Sequence, residues 1–191
     1  MKIKKCKHNK GGFFEGPFII SPEIYSDNRG YFFESWNSRQ FNNLIKKNNI
    51  FVQDNQSTSH KGVLRGMHYQ IPPMDQGKLV RCTHGSVYDV IVDLRLNSDT
   101  FSLWSGIKLN ANNNSQLWIP SGFAHGFLSL EQDTIFEYKV TNYWSKNHEK
   151  TLCWDDRTIN INWPEIGIYN ISYKDNEGLS LEKLKSYNYL F

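Results

Sequence analysis

The chain has 191 residues, with 22 lysines and arginines against 19 acidic residues and a net charge of +3. That length suits one domain with a full core, and the mild charge excludes a strongly basic nucleic-acid binder. Apolar residues make up 39% and aromatics 15%, too many for a disordered chain. No apolar run reaches the roughly 20 residues that a membrane span needs, and no apolar stretch follows the charged N-terminus as a signal peptide requires. Cys6, Cys82 and Cys153 are widely spaced and form no Cys-x-x-Cys motif, the pattern of free thiols in a reducing compartment. A cytoplasmic protein with no membrane or nucleic-acid partner is the expectation.

Lys2, Lys4, Lys5, Lys7 and Lys10 read as a solvated start. Strand signals then dominate: 18–20, 31–35, 51–55 and 78–83 are short and rich in aromatic or β-branched residues. Between the second and third, Phe41, Leu44 and Ile45 have helical spacing after the caps Asn37 and Ser38. In 87–95, Tyr88, Val90, Val92 and Leu94 share one face, and Asp89 and Asp93 the other. Segments 101–109, 116–119, 126–130 and 134–143 complete the strands, and the polar run 110–115 reads as a hairpin loop. Leu181 and Leu184 after Ser180 predict a short helix within 178–191. The expected fold is mainly β: a single jelly-roll barrel domain over 1–191 with a few short helices.

The stretch Arg65-Gly66-Met67-His68-Tyr69-Gln70 is the most informative. About 50 residues on, 120–127 has the Pro-x-Gly-x-x-His form found in the cupin barrel. Metal-binding cupins usually carry His-x-His in the earlier segment, whereas His68 is followed by Tyr69 and Gln70. One basic histidine with few metal ligands points to proton chemistry without metal or cofactor. Arg65 and His68 have opposite parity on a flat strand. Both reach one pocket only if Gly66 bends or bulges it.

The runs 53–55, 62–70, 76–81, 116–120, 122–127 and 138–142, with Asp27-Asn28-Arg29-Gly30 and Ser172-Tyr173-Lys174-Asp175, resemble the dTDP-4-dehydrorhamnose 3,5-epimerase family. The likeness extends from about residue 17 to 180 in unbroken order. It implies an isomerase that inverts C3, C5 or both in a nucleotide-diphosphate 4-keto sugar. The ketone acidifies both positions, and a base, an enolate and an opposite-face acid complete the reaction. The resemblance makes His68 the base, Asp175 the carboxylate that orients it, Tyr138 the acid and Lys78 a cation beside the enolate oxygen. It assigns Arg65 and His125 to the diphosphate or sugar. Arg29, Glu34, Gln53, Asp54, Asn55, Glu149 and Lys174 match nucleotide-sugar contacts. The family further implies a homodimer with an exchanged N-terminal strand region, 13–36, and a place in rhamnose or modified-heptose synthesis for a surface polysaccharide.

The sequence departs from the family at Trp144, where a tyrosine commonly stacks on thymine. Trp144 shares strand parity with Phe136, Tyr138 and Val140, and its indole offers a stacking plane for thymine or guanine. A GDP-4-keto-heptose epimerase at C3 or at both centres therefore stays open. So do a 3,4-ketoisomerase, a metal-dependent cupin, and a barrel that binds without turning over.

Overall fold

The central strands of this chain are apolar on both faces, and each face finds its own cover. The structure, a computed structural model, describes residues 1–191. In chain order the elements begin β1 (Lys2–Lys7), β2 (Phe13–Ser21), β3 (Tyr25–Asp27), β4 (Gly30–Phe32), α1 (Ser38–Ile45), β5 (Gln53–Ser59) and β6 (Val63–Gln70). They continue β7 (Lys78–His84), β8 (Ser86–Asp93), β9 (Trp104–Asn110), β10 (Gln116–Ile119), β11 (Phe123–Ser129) and β12 (Thr134–Val140). The last are β13 (Glu149–Thr151), β14 (Asn170–Ile171), α2 (Tyr173–Asn176) and α3 (Leu181–Ser186).

Two sheets carry the fold. The first has the order β1-β2-β10-β7-β12-β5 and the second β13-β6-β11-β8-β9, with β14 added parallel to β6. Between them Val80, Leu117 and Phe136 of the first meet Ile91, Phe123 and Phe127 of the second. This is the expected jelly-roll barrel, filled by side chains from facing strands. The outer face of the second sheet buries Val90, Val92, Leu94 and Leu128 under Leu152, Trp163, Leu181 and Leu184 of the C-terminal segment. The outer face of the first sheet buries Leu79 and Trp118 under Phe41 of α1. The caps are as expected: Asn37 accepts from the Gln40 N–H, and Ser180 from the Lys183 N–H.

Three local features differ from the sequence reading. The lysine-rich start is strand β1, paired antiparallel with β2 and mostly exposed, apart from fully buried Cys6. Lysines suit this edge position because they keep it from pairing further. The run 110–115 is a turn but not a hairpin, since β9 pairs with β8 while β10 pairs with β2 and β7. It carries the chain from one sheet to the other. The strands expected at 31–35 and 134–143 stop at Phe32 and Val140.

Gly66 does bulge its strand. Across β6 and β11, His68 opposes His125 and Arg65 opposes Phe127, so β6 carries one extra residue. The φ of Gly66 is 132°, and a Cβ there would stand 2.5 Å from Gly126 Cα. Only two glycines let these backbones cross so closely.

Phe41 is 1% exposed and packs edge-on to Trp118 with ring centroids 5.2 Å apart. Phe41→Ala should lower unfolding free energy by about 3–5 kcal/mol in urea titration. A loss below about 1 kcal/mol would mean that α1 is not needed to close the outer face.

Candidate active site

The extra residue in β6 turns His68 toward the space between the sheets. Beside it, parallel pairing of Asn170 and Ile171 with Val63 and Leu64 brings α2 against the same strand. The Ser172 side chain accepts from the Asp175 N–H at the start of α2. Asp175, 4% exposed, accepts from or shares a proton with His68 Nε2 at 2.6 Å and accepts the Gly66 N–H at 3.2 Å. Burial opposes ionisation of this carboxyl, but the His68 hydrogen bond, the imidazole charge and the Gly66 N–H hold it below the usual carboxylate range.

His68 and Asp175 lie at one wall of a cavity of about 370 Å³. Tyr138, on β12 of the facing sheet, lines the same cavity. Partial burial raises its phenol above the ordinary value, Glu149 adds to the rise, and Arg65 works against it. A phenol so shifted stays protonated through neutral pH. Lys78 is buried, and its ammonium donates to the His68 carbonyl oxygen at 3.0 Å. Burial pushes it down to about 8, against the opposing pull of Glu149 and Asp89.

His125 pairs with Asp89 at 2.9 Å inside the barrel. Burial lowers the imidazole and raises the carboxyl, while each partner's charge opposes the other's shift. Arg65 donates from Nε to Ser59 Oγ at 3.1 Å and lines the cavity. Glu149 pairs with Lys174 at the rim. Burial works against its ionisation, but the Lys174 and His68 charges keep its carboxyl below the usual range. Gln53, Asn55 and Trp144 complete the cavity's outer end.

Arg29, Glu34 and Asp54 stand outside this cavity. Arg29 pairs with Asp27 on the exposed β3–β4 hairpin. Glu34 accepts from Asn37 and Gln40. Asp54 pairs with Lys139 on the outer side of the first sheet. Trp144 reaches the cavity from the loop after Val140, so strand parity does not place it.

The sequence reading did not assign Asp89, Ser172 or Gln70 to the site. Asp89 was legible as the polar residue facing inward on β8, two positions from Val87 and Ile91, which face the same core. Ser172 and Asp175 form the Ser-x-x-Asp spacing that opens a helix. Gln70 repeats the parity of His68 two residues on. No group of three or more His, Cys, Asp or Glu side chains is placed to hold a metal ion; the carboxylates and imidazoles meet in pairs.

A family model described as dTDP-4-dehydrorhamnose 3,5-epimerase matches residues 13–183. The chain belongs to the dTDP-4-dehydrorhamnose 3,5-epimerase family. The Escherichia coli (strain K12) dTDP-4-dehydrorhamnose 3,5-epimerase is 46% identical over 170 residues, 89% of this chain and 92% of that one. The Shigella flexneri enzyme of the same name is 51% identical over 146 residues, 76% and 81% of the two chains. Among solved structures, the Legionella pneumophila dTDP-6-deoxy-D-glucose-3,5-epimerase in complex with dTDP-4-keto-L-rhamnose superposes with a TM-score of 0.90 at 40% identity, covering 99% and 97%. A 3'-monoepimerase from Streptomyces bikiniensis in complex with dTDP-quinovose also superposes, with a TM-score of 0.87 at 30% identity, covering 92% and 89%. The dTDP-4-dehydrorhamnose 3,5-epimerase fold therefore accommodates both double and single epimerases.

In this epimerase site Lys78 gives a pH signature. With its ammonium at about 8, kcat/KM should fall as pH rises past that value and the cation is lost. Lys78→Arg keeps its charge at any pH in this range and should move that limb upward, even if its longer side chain lowers the plateau. An unmoved limb would assign the titration elsewhere.

Proposed function

We propose that this epimerase inverts C3 and C5 of dTDP-4-dehydro-6-deoxyglucose, with His68 as base and Tyr138 as acid. One arrangement carries the reading. The His68–Asp175 pair and Tyr138 sit on opposed sheets across one cavity, which the buried Lys78 also lines while donating to the His68 carbonyl oxygen. With Nε2 committed to Asp175, Nδ1 of His68 carries the free lone pair. It takes the proton from C3 or C5, and the electron pair moves into the C4 carbonyl to give an enolate. The Lys78 cation stabilises the charge on O4. Tyr138 donates its proton to the same carbon from the other face; its phenolate is then reprotonated from solvent, and the His68 imidazolium releases its proton to solvent. A second round at the other carbon completes the product. His125, held by Asp89, and Arg65 bind the sugar and diphosphate, and the Trp144 indole stacks on the base.

His68→Asn should lower turnover at least about 10³-fold, as removal of a positioned base does, while dTDP affinity by calorimetry stays within about twofold. Turnover retained within about tenfold would remove His68 from the role of base.

The protein acts as a homodimer in the cytoplasm. Its three cysteines are free thiols, which suits a reducing compartment. The β3–β4 hairpin exposes Tyr25, Tyr31 and Phe32, the last at 66%, an apolar patch that needs a partner. Arg29 and Glu34 flank it and serve the neighbouring cavity. Phe32→Asp should give a monomer in analytical ultracentrifugation with much reduced activity. A fully active monomer would contradict the exchange.

A further inference from the structure

The eight residues between Val140 and Glu149 cross from the first sheet to the second at the cavity mouth, and Trp144 lies in their middle. The main chain at 143–145 is gripped by two glutamine side chains from opposite sheets. Gln70 of β6 donates from Nε2 to the Tyr143 carbonyl at 3.1 Å, and its Oε1 accepts the Ser145 N–H at 2.6 Å. Gln53 of β5 accepts the Trp144 N–H at 3.1 Å. Gln70 is 3% exposed, and its Nε2 also donates to the Met74 carbonyl. A buried amide with both ends committed to backbone is fully satisfied and rigid. It also shares the parity of His68 two residues away on one strand.

The geometry points to Gln70 as a positioning residue that fixes the plane of Trp144 relative to the catalytic strand and so sets affinity for the nucleoside end of the substrate. This rests on the proposed stacking of Trp144 on the base. Without Gln70 the Tyr143 carbonyl and Ser145 N–H lose their partner and the loop moves to satisfy them elsewhere. The indole then samples several orientations, and binding must re-order it. His68, Asp175 and Tyr138 keep all their own contacts, so the chemical step is unaffected once substrate is bound.

The test is a double-mutant cycle on dTDP affinity by calorimetry, using wild type, Gln70→Ala, Trp144→Ala and the double variant, with steady-state kinetics on each. Gln70→Ala should weaken dTDP about tenfold and raise KM to match, with kcat within about twofold. The double variant should bind no more weakly than Trp144→Ala, because both changes remove one contact. A merely structural defect would lower kcat through the active fraction and leave KM alone, which would overturn the inference. Additive losses would also overturn it, as would unchanged affinity in Gln70→Ala beside a weakened Trp144→Ala. Unchanged affinity in Trp144→Ala would instead sink the stacking reading, and Gln70 with it. If Gln70→Ala does not fold, Gln70→Glu keeps the acceptor for Ser145, loses the amide donor and is held to the same outcomes.

Discussion

The hydrogen bond between His68 and Asp175 is the contact on which the rest of the site depends. A carboxylate that is 4% exposed is tolerated only when its oxygens are paired. One oxygen takes the imidazole, the other the N–H of Gly66. Each partner needs a separate element. Gly66 must bulge β6 so that His68 turns inward, and a bulge there needs Gly126 opposite. Asp175 must sit at the start of a helix capped by Ser172, and β14 must pair parallel to β6 to bring that helix close. The C-terminal segment that supplies both also buries the outer face of the second sheet. Packing energy outside the barrel therefore holds the His68–Asp175 pair in place inside it.

Stacking two sheets face to face gives proton chemistry two walls. The proposed base, His68, lies on the second sheet and the Tyr138 phenol on the first, so a sugar ring bound between them would present opposite faces to the two groups. Burial between the sheets shifts two of the groups that line the cavity in opposite directions. Lys78 titrates lower, and Tyr138 titrates higher. Both shifts come first from burial. The Lys78 cation is then easily neutralised by base, while the Tyr138 phenol stays protonated. Asp89 and Glu149 keep Lys78 from falling further, so acidic residues that never touch the reacting carbon maintain its charge.

The parts legible in sequence were those governed by local rules. The helix caps at Asn37 and Ser180 follow from side-chain hydrogen bonding within four residues. The two faces of β8 follow from alternation, because both are buried against different layers. The motif around His68 was visible, as was the need for a bulge at Gly66. What escaped was set by distant partners. Strand β1 is a run of lysines with no apolar alternation, and only pairing with β2 makes it a strand. The turn at 110–115 looks the same whether it closes a hairpin or joins two sheets. Helix α2, four residues long, is too short to show a period. Asp54 carries a sensible residue type in a sensible motif, yet its parity on β5 sends it to the outer side, to Lys139.

The most direct test of base and acid on opposed walls is solvent isotope uptake. The wild-type protein would be incubated in D₂O with dTDP-4-dehydro-6-deoxyglucose, and the inverted sugar analysed by mass spectrometry. Removal of a carbon-bound proton by His68 and its replacement from Tyr138, which exchanges with solvent, predicts two deuterons per product, one at C3 and one at C5. An inverted product free of deuterium would contradict the account, because the hydrogen would then have moved without reaching either residue's exchangeable proton.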